Sequence, residues 1–470
     1  MNNTFCILNY LPRHYFTPRN LRFLLPCTTF VVSNNIMTDI TRLYECFVQS
    51  SGITTDTRQC REGMMFVALR GENFEGNSYA AEALERGCSY VVIDNAEYAK
   101  ADDERVILVD NSLKTLQLLA RHHRRQLKTV IVGITGTNGK TTTKELMATV
   151  LKQRYCVHYT QGNLNNHIGV PLTLLQLTAA HEMAVVEMGA NHPGDIKELV
   201  DIAEPDYGVI TNVGMAHLQG FGSLEGVIRT KGELYDYLRT TERKTIFLNH
   251  DNDYLKGIAD GLAAICYGQS ADNQVKVRGE FTACDPYLRF RWNVDGGDWH
   301  EVATQLIGSY NLDNALCAAT VGTHFDISAE EISAALAAYT PTNNRSQLTR
   351  TEHNSLIVDA YNANPTSMRA ALDNFHRVEA TGKMAILGDM KELGEATADA
   401  HQAVIDHIDT LCIGEVWLVG AAFAQTTHTQ RTFANVEEVI ATLQAEKPTQ
   451  RCILIKGSNS MKLATLVPYL

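Results

Sequence analysis

The chain has 470 residues, 45% hydrophobic and 20% charged, ordinary globular proportions that exclude wholesale disorder and a coiled-coil rod. At roughly 100–200 residues per domain, that length makes three domains the central expectation. Forty-one Lys plus Arg against 53 Asp plus Glu give a formal charge of −12, which argues against a nucleic-acid partner but leaves room for a local basic pocket around a small anion.

The eleven cysteines are scattered, with no C-x-x-C pair, and read as reduced thiols in a cytoplasmic protein; a zinc ribbon is excluded. No apolar run reaches the ~18 residues needed to span a bilayer, so no membrane span is expected. Residues 1–36 lack Asp and Glu and carry Arg13, Arg19 and Arg22. Their apolar patches are broken by Pro12, Pro18, Arg22 and Pro26, a poor match to a signal peptide. An unstructured extension or a mis-assigned upstream start is the reading for 1–36.

Beyond Met37, strand-like runs recur with helical segments between them, the α/β signature. Runs at 64–69, 90–93 and 106–109 define a first block, 37–127. Runs at 129–135, 184–188, 207–212 and 245–249 have the continuous apolar character of a buried parallel sheet, and 305–322 reads as a polar start followed by an Ala-rich helix. These form a second block, 128–339. A polar stretch from Thr340 to Arg345 reads as a linker into a third block, 340–470, with strands at 356–359, 385–389, 416–420 and 452–456. Three α/β domains are expected, with no internal repeat.

The clearest chemistry is the segment from Gly133 through Gly136, Thr137, Asn138, Gly139, Lys140, Thr141 and Thr142. A β-branched strand leads into it and helix formers follow, the strand–loop–helix context of a phosphate-binding loop. Glycines let backbone N–H groups turn inward, and the helix N-terminus adds partial positive charge. Lys140 would reach the β- and γ-phosphates, and the Thr141 hydroxyl would ligate Mg²⁺. The usual P-loop spacing fails by one residue, because position 134 is Ile where a glycine would be needed. The segment is not G-x-G-x-x-G either, and the guanine-reading element of GTPases has no good counterpart: Thr230-Lys231-Gly232-Glu233 ends in Glu and follows no apolar strand.

Glu187 closes one apolar run, where an unpaired buried carboxylate would be costly; an exposed strand end explains it equally well. His217 falls just past another strand, where α/β sites form. Lys231, by composition, is a solvated lysine opening a charged helix.

Taken in order, these residues resemble the Mur ligase family, ATP-dependent amide-forming enzymes of peptidoglycan precursor synthesis. The resemblance covers the chain from about residue 38 to its end. It is carried by the 133–142 loop with its unusual spacing, Gly162-Asn163-Leu164-Asn165-Asn166, Glu187-Met188-Gly189-Ala190-Asn191-His192 and Ala216-His217-Leu218. It continues in Lys231-Gly232-Glu233 and Gly308-Ser309-Tyr310-Asn311. Asp359-Ala360-Tyr361-Asn362-Ala363-Asn364-Pro365 and Leu387-Gly388-Asp389-Met390-Lys391-Glu392-Leu393-Gly394 resemble the dipeptide-adding branch in particular, rather than sister ligases that add a single amino acid or extend folate with glutamate.

The resemblance implies an N-terminal α/β domain for a UDP-linked substrate, a central P-loop ATPase-like domain with a parallel sheet, and a Rossmann-like C-terminal domain. It implies ATP and two Mg²⁺ as cofactors, and D-alanyl-D-alanine and UDP-N-acetylmuramoyl-tripeptide as substrates, in a cytoplasmic monomer. It puts Glu187 and His217 on the second Mg²⁺, makes Lys231 a carbamylated lysine, and sets Asn311 beside adenine and Asp359 beside ribose. Arg345 would meet the γ-phosphate on domain closure about a 340–347 hinge, and Thr57, Arg58 and Asn364 would touch substrate. Asn77 stands where a Gly-His pair is common and is left without a role. A nucleotide-binding scaffold that makes no amide is the alternative of a different class.

Overall fold

A computed structural model of the chain describes residues 36–72, 74–99, 102–341 and 347–470. The expected extension, 1–36, lies outside the described residues except for its last member: a helix already begins at Ile36 and runs to Gln49. Arg345 and most of the expected hinge also lie outside them.

The first block is a four-stranded parallel sheet in the order Ile53–Thr54, Met65–Val67, Tyr90–Ile93, Val106–Leu108. Its central strands are buried on both faces, which is why they read as unbroken apolar runs. Phe66, Val91 and Ile93 pack with Ala80, Ala83 and Cys88 on one side. Met65, Val67 and Val92 turn the other way, onto Leu43, Phe47, Leu116 and Leu119. Asn77 gains a role here: its fully buried amide bonds both Glu75 and Asp94 and accepts the Asp94 N–H, pinning a turn to a strand end.

The helix Ser112–Gln126 joins this block to the next. Its apolar face shares one continuous core with Ile131, Val170 and Leu199 of the second block. Its C-terminal half reaches across: Arg121 and Arg125 pair with Glu204, and Arg124 with Asp206.

The central sheet has nine strands. Val130–Thr135 lies between Tyr207–Ile210 and Met183–Glu187, with Val157–Tyr159 at one edge and Thr245–Asn249 and Ala263–Gly268 beyond Tyr207–Ile210, all parallel. Val275–Cys284, Tyr287–Val294 and His300–Ile307 then extend it as an antiparallel ribbon that the sequence reading did not anticipate. The helices Lys140–Leu151 and Asn311–His324 cover one face, the second lining its contact with alanines at 315, 318 and 319.

The last block is a six-stranded sheet ordered Gln347–Arg350, Ser355–Asp359, Cys452–Lys456, Lys383–Gly388, Glu415–Val419, Arg431–Phe433, parallel except for its first pair. Separate apolar clusters fill its two faces, the doubly wound arrangement expected. In such sheets ligands gather beyond the carboxyl ends of the strands. Here those ends, at Asp359, Lys456 and Gly388, look toward the phosphate-loop end of the central sheet.

Candidate active site

Between the two sheet ends lies a cavity of about 910 Å³, lined by both domains. From the central domain come the 137–140 loop, Thr142, Glu187, His217 and Asn311; from the C-terminal domain come Asp359, Tyr361, Asn362, Thr366, Glu392 and Lys456.

The loop has the geometry an anion needs. Gly136 has φ +140°, and a Cβ there would fall 2.0 Å from Thr211 Oγ1; Gly139 has φ +79°, and a Cβ would fall 2.6 Å from Asn314 Oδ1. Only glycine fits at either place. The helix starts at Lys140 with Gly139 as its N-cap and no capping side chain, leaving first-turn N–H groups to whatever sits in the loop. Lys140 Nζ donates to Gly136 O (2.7 Å) and Thr137 O (3.1 Å), folded back on the loop it would leave for a phosphate.

Two residues that the sequence reading did not single out hold the loop from behind. Thr211 Oγ1 donates to Asn138 O at 2.7 Å, and Asn212 both accepts the Asn138 N–H (2.9 Å) and donates to its carbonyl (3.0 Å). Only their place past the strand Tyr207–Ile210 hints at this.

Glu187 is buried at the end of its strand, so the exposed strand end is ruled out. Its Oε1 accepts from Asn165 Nδ2 (2.8 Å) and from Thr141 Oγ1 (3.2 Å), and its Oε2 faces Lys144 Nζ at 3.3 Å. The burial cost is offset by the Lys144 cation facing Oε2 and by the two hydrogen bonds to Oε1.

Lys231 corrects the composition reading. It sits within the helix Leu224–Arg239, capped by Ser223, and its side chain is buried rather than solvated, with Nζ 5.3 Å from the centre of the Phe221 ring. Burial, reinforced by the charge of Lys140, pushes its pKa down to about 7. His217 adopts φ +52° before the short helix Leu218–Phe221, and its Nδ1 lies against Glu392 Oε2 of the C-terminal domain. Burial lowers its pKa against the opposing pull of the Glu392 charge, and the net shift favours the neutral imidazole.

On the opposite wall, Thr143 Oγ1 donates to Asn314, whose amide donates to Asn311 Oδ1, and Asn311 Nδ2 donates to Ile307 O. Asp359 accepts from Lys456 Nζ at 2.6 Å, a lysine that is almost wholly buried and was not foreseen. Asn364 does not line this cavity. It caps the helix Pro365–Arg377 and donates to Asn138 Oδ1 of the loop at 2.8 Å, tying the two domains together. Thr57 and Arg58 lie apart on the turn Thr57–Gln59 of the first block, where Arg58 forks onto Asp56.

The donor set suits Mg²⁺. The Thr141 hydroxyl and Glu187 Oε1 converge beside the loop, and this hard cation prefers a few protein oxygens with phosphates and waters completing its shell. Among the described residues no three His, Cys, Asp or Glu side chains are gathered as an all-protein metal cage.

Family models match along the chain: the Mur ligase family catalytic domain over residues 49–124, the Mur ligase middle domain over 134–322, and the Mur ligase glutamate ligase domain over 344–459. The chain is 36% identical to the UDP-N-acetylmuramoyl-tripeptide–D-alanyl-D-alanine ligase of Bacillus subtilis, covering 88% of this chain and 92% of that protein. It is 33% identical to the ligase of the same name from Escherichia coli, with the same coverage. Among solved structures it is similar to MurF from Acinetobacter baumannii (TM-score 0.79, 26% identity, 91% of this chain and 97% of that one). MurF ligase from Thermotoga maritima in complex with ADP matches at TM-score 0.79 and 24% identity, over 90% and 97% of the two chains.

Proposed function

The chain belongs to the Mur ligase family, and we propose that it joins D-alanyl-D-alanine to UDP-N-acetylmuramoyl-tripeptide with ATP, in peptidoglycan precursor synthesis. The observation that carries this reading is the single cavity in which a phosphate loop and the Asp359–Lys456 wall of a second domain face each other. Nucleotide-linked substrates of this kind place the reaction in the cytoplasm. No helix among the described residues is long and apolar enough to cross a membrane.

A carboxylate is a poor acyl donor, so the peptide carboxylate first attacks the γ-phosphorus of ATP, giving an acyl phosphate and ADP. The dipeptide amine then adds to the acyl carbon, and the tetrahedral species collapses with loss of phosphate and a proton. In the first step two anions must meet, and cations at fixed positions lower that barrier. Lys140 supplies one, moving from the loop carbonyls to phosphate oxygens; Arg345 supplies a second from the C-terminal domain. The loop N–H groups and the Asn138–Asn212 brace hold the chain of phosphates in line, and positioning provides most of the acceleration. Asn311 and Asp359 hold the nucleoside.

Thr141, with Glu187 Oε1 beside it, would hold one Mg²⁺, and Glu187 and His217, with a carbamylated Lys231, would support the second. When bound, these ions neutralise phosphate charge. Lys231 reacts with CO₂ through its neutral amine, forming a carbamate and releasing a proton. Seating the C-terminal domain over the nucleotide excludes water from the acyl phosphate.

The decisive assay is phosphate release from ATP with UDP-N-acetylmuramoyl-tripeptide, with and without D-alanyl-D-alanine. Dependence on the dipeptide, with a product heavier by one dipeptide residue pair, is expected. Release that ignores the dipeptide would transfer the assignment to a single-amino-acid or folate ligase, and no release at all would leave only a nucleotide-binding scaffold.

A further inference from the structure

The segment Asp389 to Gly394 lies at the cavity edge and is fixed at several points along its length. Asp389 is buried and accepts the N–H groups of Ala422 and Phe423, each at 3.1 Å. The Met390 N–H donates to His401 Nε2 (3.0 Å), and the Lys391 N–H to Ser458 Oγ (3.0 Å). The next residue, Glu392, has φ +64° and projects across the cavity onto the central domain. It makes two contacts there, both on one turn. Its carboxylate meets His217 Nδ1, and its carbonyl accepts the Gln219 N–H at 3.3 Å.

A histidine that binds a metal through one nitrogen is commonly fixed by a carboxylate on the other, which sets both the tautomer and the ring plane. The contact from Glu392 occupies Nδ1 and leaves Nε2 as the nitrogen available to a cation. We propose that Glu392 is a positioning residue: carried in by the C-terminal domain, it orients His217 for its Mg²⁺, so that the ligand is complete only when that domain covers the nucleotide. Metal binding and domain seating are thereby linked, and the linkage is reciprocal. The inference rests on His217 being a metal ligand, as proposed above.

The test compares wild type, Glu392→Gln, Glu392→Asp, His217→Ala and the Glu392→Gln/His217→Ala double variant. Dipeptide-dependent phosphate release is measured across Mg²⁺ concentrations. Mn²⁺ affinity is measured by electron paramagnetic resonance with ADP and the nucleotide peptide present, which needs no turnover. Glu392→Gln is expected to raise half-saturating Mg²⁺ and weaken Mn²⁺ binding on the order of 10-fold, with the KM for dipeptide unchanged. Glu392→Asp should recover part of the loss, and the double variant should be no weaker than His217→Ala, since the two residues act as one unit.

If His217→Ala leaves both metal readouts at wild-type values, the metal reading itself fails and this inference with it. If His217→Ala shifts them and Glu392→Gln does not, the role of Glu392 alone is overturned. Turnover of Glu392→Gln that falls equally at every Mg²⁺ concentration, with wild-type Mn²⁺ binding, overturns it too, because Glu392 would then only strap the domains together.

Discussion

Lys144 Nζ sits 3.3 Å from Glu187 Oε2 with both side chains almost wholly inside the protein, so the carboxylate that faces the phosphate loop carries its own buried counter-charge. Lys144 lies one helical turn beyond Lys140, and the two lysines divide the work: one reaches the cavity and the other stays beneath it. Removing one member of such a pair strands the other charge in a low-dielectric interior.

Lys144→Met should therefore destabilise the protein by about 3 kcal/mol, the cost typical of a broken buried pair. Adding Glu187→Gln should restore much of that stability while leaving the enzyme inactive. Urea unfolding of the single and double variants checks this. A single variant as stable as wild type would mean that Glu187 finds another cation.

Much of this architecture was legible in the sequence where local chemistry determines it. The strands Val130–Thr135, Tyr207–Ile210 and Cys452–Lys456 were legible because apolar residues, many of them β-branched and buried on both sheet faces, leave an unbroken apolar signal. The loop at 133–142 was legible because its glycines and Lys140 are contiguous. The antiparallel ribbon was not, because Val275–Cys284 buries only alternate residues and turns Lys276, Arg278 and Glu280 outward, which reads as an ordinary polar stretch. Lys456 was invisible for a topological reason: it meets Asp359 only because the strand Cys452–Lys456 inserts beside Ser355–Asp359. Lys231 misled because composition gives its charge but not its burial.

The Lys231 amine, with its pKa near about 7, is mostly neutral above that pH and mostly charged below it. Burial penalises the charged form, so the fold carries that penalty in acid and sheds it as pH rises from 7 toward the ordinary lysine range, where only the unfolded chain still holds the proton. The neutral amine is also the form that captures CO₂. Activity at limiting CO₂ should therefore climb between about pH 6 and about pH 8, and added bicarbonate should raise it most at the acid end. Intact-mass analysis should show one added CO₂, lost in Lys231→Met. A flat pH response with no bicarbonate effect would remove the carbamate from the mechanism.

Asn364 does two jobs that one substitution separates. Its Oδ1 accepts the Ser367 N–H at the helix start, and its Nδ2 donates to Asn138 in the loop. Asn364→Asp keeps the cap and loses the donor, so stability should hold while kcat/KM for ATP falls roughly 3- to 10-fold, the worth of one hydrogen bond. Asn364→Ala should lose about 1 kcal/mol of stability as well. Equal kinetics for wild type and Asn364→Asp would show that the bond across the domains is dispensable.

Arg345 enters from sequence alone, as the cation that would reach the γ-phosphate. Its planar fork suits phosphoryl oxygens in a way an ammonium does not. Arg345→Ala should reduce kcat by about 100-fold or more, below the loss typical of an arginine finger because Lys140 remains, and Arg345→Lys should recover little. Normal turnover in Arg345→Ala would take this residue out of the site.

Lys456 offers the sharpest separation of binding from chemistry. It is buried, it donates to Asp359 Oδ2 at 2.6 Å and to Asn362 O at 3.3 Å, and the three residues together line the C-terminal domain's side of the cavity, the side proposed for the nucleoside. Lysine here fixes the Asp359 carboxylate in place, where it would accept a hydrogen bond from a sugar hydroxyl under the proposed function. An interaction made equally in ground and transition states alters KM and spares kcat. Lys456→Met should thus raise the KM for ATP about 10-fold with kcat nearly unchanged, while the KM for dipeptide stays put. Steady-state kinetics with each substrate varied in turn decides the matter. A fall in kcat at saturating ATP would mean instead that Lys456 acts on the reacting phosphate, and the Asp359 wall would have to be moved from the sugar to the phosphoryl group in transit.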